Sequence, residues 1–100
     1  MPRPKKRRRI NCNPSSYYFK PRGIPMFELD ELILEDDQLE AICLADYENL
    51  SHEEAAVKMN ISRATFGRIV NSARNKIADC IINGKAIRIS DSLKFKDKEL

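Results

Sequence analysis

The chain has one histidine, three cysteines, three glycines and no tryptophan among its 100 residues. Each scarcity removes a class of function. His52 alone makes a poor acid–base partner, no carboxylate pair stands beside a plausible acid or base, and no glycine-rich phosphate loop is present. An enzyme is not expected. Cys12, Cys43 and Cys80 are too few and too scattered for a disulfide framework, and none stands at C-x-x-C spacing. No cofactor or metal is expected either. The longest uncharged apolar run, Ala41 to Ala45, is far too short to span a bilayer. The basic N-terminus has no apolar segment behind it, so no secretory signal is expected. These absences point to a cytoplasmic protein that does not enter a membrane. An apolar fraction of 42% with four phenylalanines suits one small domain with a modest core.

Charge of one sign is missing from two long stretches. Residues 1–22 carry eight basic groups and no acid, whereas residues 23–50 carry nine acids and no base. Residues 51–100 return to ten bases and six acids. The formal net charge of +3 conceals this sorting. A cationic arm that includes Arg7, Arg8 and Arg9 suits phosphate, because each neutralised phosphate releases condensed counterions. Pro2 and Pro4 keep such an arm extended. The acidic segment cannot face phosphate. It belongs on the far side of the domain, against another protein, or against the basic arm when nucleic acid is absent.

The run from Leu50 to Val70 carries the strongest local pattern. Ser51 with Glu54 three residues on is a capping box, which starts a helix. Ala55, Ala56 and Met59 give that helix a small apolar inner face. Asn60 accepts the left-handed conformation that a sharp stop requires. Ile61 plugs the corner and Ser62 caps a second helix. Capped helix, turn and capped helix make a helix-turn-helix, whose second helix enters the DNA major groove.

The expected class is mainly α, a three-helix helix-turn-helix domain with one or two short strands. A flexible basic arm covers residues 1–16, the single domain 17–90, and a polar tail 91–100. Helices are expected at about 37–48, 52–59 and 63–82. Asp36 or Asp37 caps the first, with Glu40 in its first turn, and Leu39, Ile42, Cys43, Tyr47 and Leu50 form its buried face. Phe66, Ile69, Val70, Ala73, Ile77 and Ile81 define the buried stripe of the last helix. Ala64, Arg68, Asn71 and Asn75 take the opposite face, and Asn83-Gly84 ends it. Tyr17 to Lys20 is a short strand or a packed anchor. Glu31 to Leu34 is strand or irregular. A strand at about 85–89, alternating Ala86, Arg88 and Ser90 against Ile87 and Ile89, pairs with Glu31 to Leu34 or with a second subunit. Cys43 and Cys80 occupy apolar helical positions. Cys12, in the arm, is a candidate reactive thiol or ligand of a metal shared between chains, but nothing else in the sequence supports such a role.

Four segments together resemble a small prokaryotic family of predicted DNA-binding proteins. They are the opening PRPKKRRRI, the YFKPRGIP box at 18–25, LEAICLADYENLSHEEAAVKMNISRATFGRIV at 39–70, and ARNKIADCIINGKAIRI at 73–89. The resemblance covers nearly ninety residues in order, and the YFKPRGIP box is its most specific element. In that family the helix-turn-helix is similar to region four of bacterial sigma factors. The resemblance implies DNA binding in transcriptional regulation, with promoter-type groove contacts from Ser62, Arg63, Thr65 and Arg68. Two positions depart from the family's pattern. Arg7 stands where a cysteine is common, which weakens a metal or redox role for the arm. Asn60 replaces the glycine usual at the turn.

Arg63 and Arg68 are the foremost candidates for DNA contact, since arginine donates two hydrogen bonds to guanine in the major groove. Ser62 combines capping with a possible phosphate contact at the helix start. Thr65 and Asn71 complete the face, and Arg7, Arg8 and Arg9 serve the phosphates. Arg74 and Lys76 flank the stripe, within reach of phosphate or an acidic partner. The leading expectation is sequence-specific binding of double-stranded DNA by a transcriptional regulator, as a homodimer. The alternative is an interaction module that binds RNA polymerase or a partner regulator through its acidic segment.

Overall fold

The computed structural model describes residues 12–90. Arg7, Arg8 and Arg9 and the polar tail lie outside the described residues. Strand β1 (Tyr18–Phe19) leads through a turn to a single 3-10 turn at Met26–Glu28, then to strand β2 (Glu31–Leu34). Three helices follow, α1 (Asp36–Ile42), α2 (His52–Met59) and α3 (Arg63–Asn83), and strand β3 (Ala86–Ile89) closes the domain. The class is mainly helical with a small sheet, as expected.

In the first turn, Gly23 takes φ +84°, and the Lys20 ammonium donates to the Ile24 carbonyl at 2.7 Å. Strand β3 is the middle of the sheet, in the order β1-β3-β2. It runs antiparallel to β1 and parallel to β2, with Leu32 opposite Ile87 and Leu34 opposite Ile89. A parallel pair needs a long crossover. All three helices supply it. The last strand thus finds both neighbours within its own chain rather than in a second subunit. Its middle position also explains why Ala86 and Ile89 are both buried, against a strict alternation.

Helix α1 departs from the expected 37–48 in two ways. Its N-cap is Glu35, not Asp36 or Asp37: the Glu35 N–H donates to Gln38 Oε1 at 2.9 Å. Beyond Ile42 the chain widens into a π-helical turn at Cys43–Tyr47, where the Glu48 N–H reaches the Cys43 carbonyl at 2.9 Å. That extra residue per turn shifts the apolar phase. Leu44 turns inward, and Tyr47, expected in the core, is 82% exposed.

Ser51 and Glu54 cap α2 reciprocally, at 3.0 and 3.1 Å. The two hydrogen bonds from Ser51, backbone first, hold the Glu54 carboxyl below its ordinary pKa. Asn60 ends the helix with φ 60°. Ala55, Ala56 and Met59 are buried against Phe66 and Val70 of α3, with Ile61 packed at the corner. A second cluster joins Leu34, Ala73 and Ile89, with Tyr17 and Leu39 packed against it, and Ile42 touches both clusters. The middle of α3 is therefore shared by the helical layer and the sheet.

The last turns of α3 correct the expected stripe. Ile81 is 71% exposed, and Cys80 takes the inward place, its Sγ lying 3.6 Å from the Ala86 carbonyl. From Ile77, steps of three and four both continue a stripe. Contact with β3 selects the first.

The expected arm, 1–16, is held at its inner end. The Cys12 N–H donates to Glu40 Oε1 at 2.7 Å. Glu40, expected in the first turn of this helix, lies beyond it and is buried. A backbone donor on a buried carboxylate is a charge-assisted bond in a low-dielectric setting.

Candidate nucleic-acid interface

Helix α3 begins with a relay of three side chains, one turn apart in sequence. Ser62 Oγ accepts from the Thr65 N–H at 3.1 Å and donates to Thr65 Oγ1 at 2.9 Å. Arg68 Nη2 in turn donates to Thr65 Oγ1 at 3.4 Å, a long bond. Ser62 satisfies one backbone donor of the first turn, and the remaining amides keep the positive end of the helix dipole. The first turn of α3 holds no acidic residue, unlike that of α2, which holds Glu53 and Glu54. An anion is thus tolerated at the start of α3.

Arg63, Arg68, Asn71 and Asn75 are all exposed, as the three- and four-residue spacing predicts. Neither Arg63 nor Arg68 meets a carboxylate among the described residues. Their backs are closed by Phe66 and Val70, each 0% exposed. Ser62, Thr65 and Arg68 are brought together, and Asn71 lies on the same helix. Arg7, Arg8 and Arg9 are outside the described residues.

Arg74 is not offered to a phosphate. Its guanidinium forms a bidentate pair with Asp46, at 2.8 and 3.1 Å. That contact holds the Asp46 carboxyl below its usual range. Lys76 is committed too: its ammonium donates to the Ile33 carbonyl and, at 2.9 Å, to Gln38 Oε1. Gln38 completes the cluster by donating to Ser72 Oγ at 2.8 Å. These two basic residues tie α3 to the rest of the domain.

His52, the first residue of α2, is half-buried. Its ring meets Phe66 edge-on, with centroids 5.2 Å apart.

Gly67 escaped the sequence reading. It sits between Arg63 and Asn71 on α3, and a Cβ added there meets nothing within 4 Å. A glycine inside a helix costs roughly 1 kcal/mol relative to alanine, and no internal neighbour requires it. The missing side chain leaves a notch on the outer side of α3. A lone glycine inside an otherwise helical pattern was the available signal.

Among the described residues no group of acids, cysteines and histidine could hold a metal ion, and no helix is long and apolar enough to cross a membrane. No solved structure matches the chain. A UPF0251 protein of Desulfosudis oleivorans is 56% identical over 89 residues, which is 89% of this chain and 64% of that protein. One from Thermoanaerobacter pseudethanolicus is 55% identical over 89 residues, covering 75% of its own length. A Vibrio vulnificus UPF0251 protein is 48% identical over 99 residues, covering 99% of both chains. The family model described as "Protein of unknown function DUF134" matches residues 1–95, and the chain belongs to that family.

Proposed function

We propose that this chain binds double-stranded DNA sequence-specifically and acts as a transcriptional regulator. The first half of α3 enters the major groove, in a helix-turn-helix of the sigma-region-four kind. The observation that carries this reading is the asymmetry of basic side chains on α3. Arg63 and Arg68 stand exposed, with no carboxylate beside them among the described residues, on a capped helix start without acids. Arg74, further along, is neutralised by Asp46.

In this reading Arg63 and Arg68 meet base edges or phosphates, and Thr65 restrains Arg68. Ser62 and the first-turn amides hold a phosphate, and Asn71 reads adenine. Arg7, Arg8 and Arg9 add affinity that falls steeply with salt. Two copies bind paired half-sites, since one such unit spans few base pairs. An interaction module working through the acidic segment has less support. Three acids of that segment, Glu31, Glu40 and Asp46, already serve contacts within the domain.

Selection of bound sequences from a random duplex pool, repeated at two salt concentrations, tests the proposal. Enrichment of one motif supports it. Uniform recovery would reduce the chain to a non-specific binder, and no recovery at low salt would end the DNA reading.

A further inference from the structure

Two cysteines far apart in sequence meet at the root of the arm. The Cys12 N–H is fixed on Glu40, and Cys43 follows Glu40 by three residues, one turn further along the same helical segment. The thiols lie within hydrogen-bonding contact of each other. Both are half-buried, whereas Cys80 is buried near the C-terminal end of α3, beside the Ala86 carbonyl. We propose that Cys12 and Cys43 form an oxidisable pair, closed into an intramolecular disulfide by a peroxide or a small-molecule disulfide. This inference stands apart from the DNA reading and does not depend on it.

The order of events follows from the surroundings of Cys43. Burial, then the hydrogen bond that the Cys43 thiol donates to Cys12 sulfur, pushes the Cys43 thiol up to about 12. The thiolate is the nucleophile, so Cys43 is a poor first attacker, and Cys12, which lines the crevice beside Pro14 and Tyr17, is the one placed to react first. With hydrogen peroxide, Cys12 sulfur takes one oxygen to become a sulfenic acid, and water is released. Cys43 sulfur then attacks Cys12 sulfur. The S–O bond breaks, and the hydroxide leaves as a second water with the Cys43 proton. With glutathione disulfide, Cys12 displaces one glutathione thiol, and Cys43 displaces the other. Each cysteine sulfur gives up one electron, and the oxidant gains two.

The sulfurs have only to close from a contact to a bond of about 2.05 Å. The crevice beside Cys12, between Pro14, Tyr17 and Leu39, measures about 10 Å³. That is room for one water at most, so a bulky glutathione adduct on Cys12 has no pocket to shelter it from displacement.

The test uses the full chain, reduced and then treated with glutathione disulfide, alkylated in denaturant and weighed intact. The expected product carries a single alkyl group, on Cys80, and a disulfide-linked peptide pair joining Cys12 to Cys43. Its rate of formation should not change with protein concentration. Cys80→Ser should leave the cross-link in place, and Cys43→Ser should stop the reaction at a glutathione adduct on Cys12. Three alkylated thiols in the wild type, a lasting glutathione adduct there, or a cross-link between chains would overturn the assignment. The wild-type peptide map decides the matter even if a variant fails to fold.

Discussion

The two halves of α3 share one helix and treat their polar side chains in opposite ways. From Ser62 to Asn71 the side chains of Ser62, Thr65 and Arg68 hydrogen-bond among themselves and, among the described residues, to no other element. From Ser72 onward, contacts fasten the helix to the rest of the domain: Ser72 and Lys76 to Gln38, Arg74 to Asp46. Near the end, Asp79 accepts from Asn83 at 2.7 Å and from Lys85 at 2.9 Å, tying the last turn to the start of β3. The second half is mortar. The first half is backed by core and otherwise left unspent, which is what a surface meant for a partner outside the chain requires.

The largest expected effect concerns that backing. Phe66 is fully buried between α2 and α3, and Phe66→Ala should cost roughly 3–5 kcal/mol of stability in denaturant titration. Arg63→Ala or Arg68→Ala, on the other side of the same turns, should leave the midpoint nearly unchanged. Equal losses from inward and outward substitutions would erase the distinction between support and surface.

Next in size is the contrast between arginines of the two halves. Arg68→Ala should weaken binding to a selected duplex by roughly 1–3 kcal/mol, as for a base-contacting arginine. Arg74→Ala, which breaks an internal pair, should change affinity far less in the same mobility-shift assay. A matching loss for Arg74→Ala would move the DNA surface to the wrong half of the helix. Truncating residues 1–9 should flatten the salt dependence of binding while keeping the ranking of the two variants.

Much of this contrast is legible in sequence, and the illegible part has a common cause. The Ser51–Glu54 box, the left-handed Asn60 and the Ser62 cap are local devices spanning four residues or fewer, and each is present in the fold. The stripe through Phe66, Val70 and Ala73 is also local, and all three are buried. Most of what failed depended on partners distant in the chain. Ile81 and Cys80 fit the periodicity equally well until β3 decides between them. Tyr47 follows the helical pattern, yet a π-helical turn rotates it outward. Arg74 looks like any exposed arginine, and its pairing with Asp46 spans 28 residues. Cys12 and Glu40 meet across a like separation. Spacing rules describe one element at a time, whereas these contacts join two.

A smaller effect with opposite signs separates stability from binding at Gly67. Alanine there fits without a clash, so Gly67→Ala should raise stability by about 0.5–1 kcal/mol. The same methyl group would fill the notch on the outer side of α3 and should lower DNA affinity. Improved stability with unchanged affinity would show that nothing approaches the helix closely at that point.

The smallest effect lies in the second half and depends on pH. Arg74 holds the folded Asp46 carboxyl below its ordinary pKa, chiefly by hydrogen bonding. A depressed folded pKa gives stability that is present above the unfolded carboxylate pKa and lost as pH falls through the folded value. Both side chains are over 40% exposed, so solvent screening limits the pair to at most about 1 kcal/mol. Asp46→Asn should therefore be slightly less stable than the wild type at neutral pH, and the gap should close as the pH falls below the ordinary aspartate range and through the depressed folded pKa of Asp46. High salt should narrow the gap as well, because exposed charges are screened. A gap that widened on acidification would mean that Asp46 is held by something other than its charge, and that Arg74 is less firmly committed than its geometry indicates.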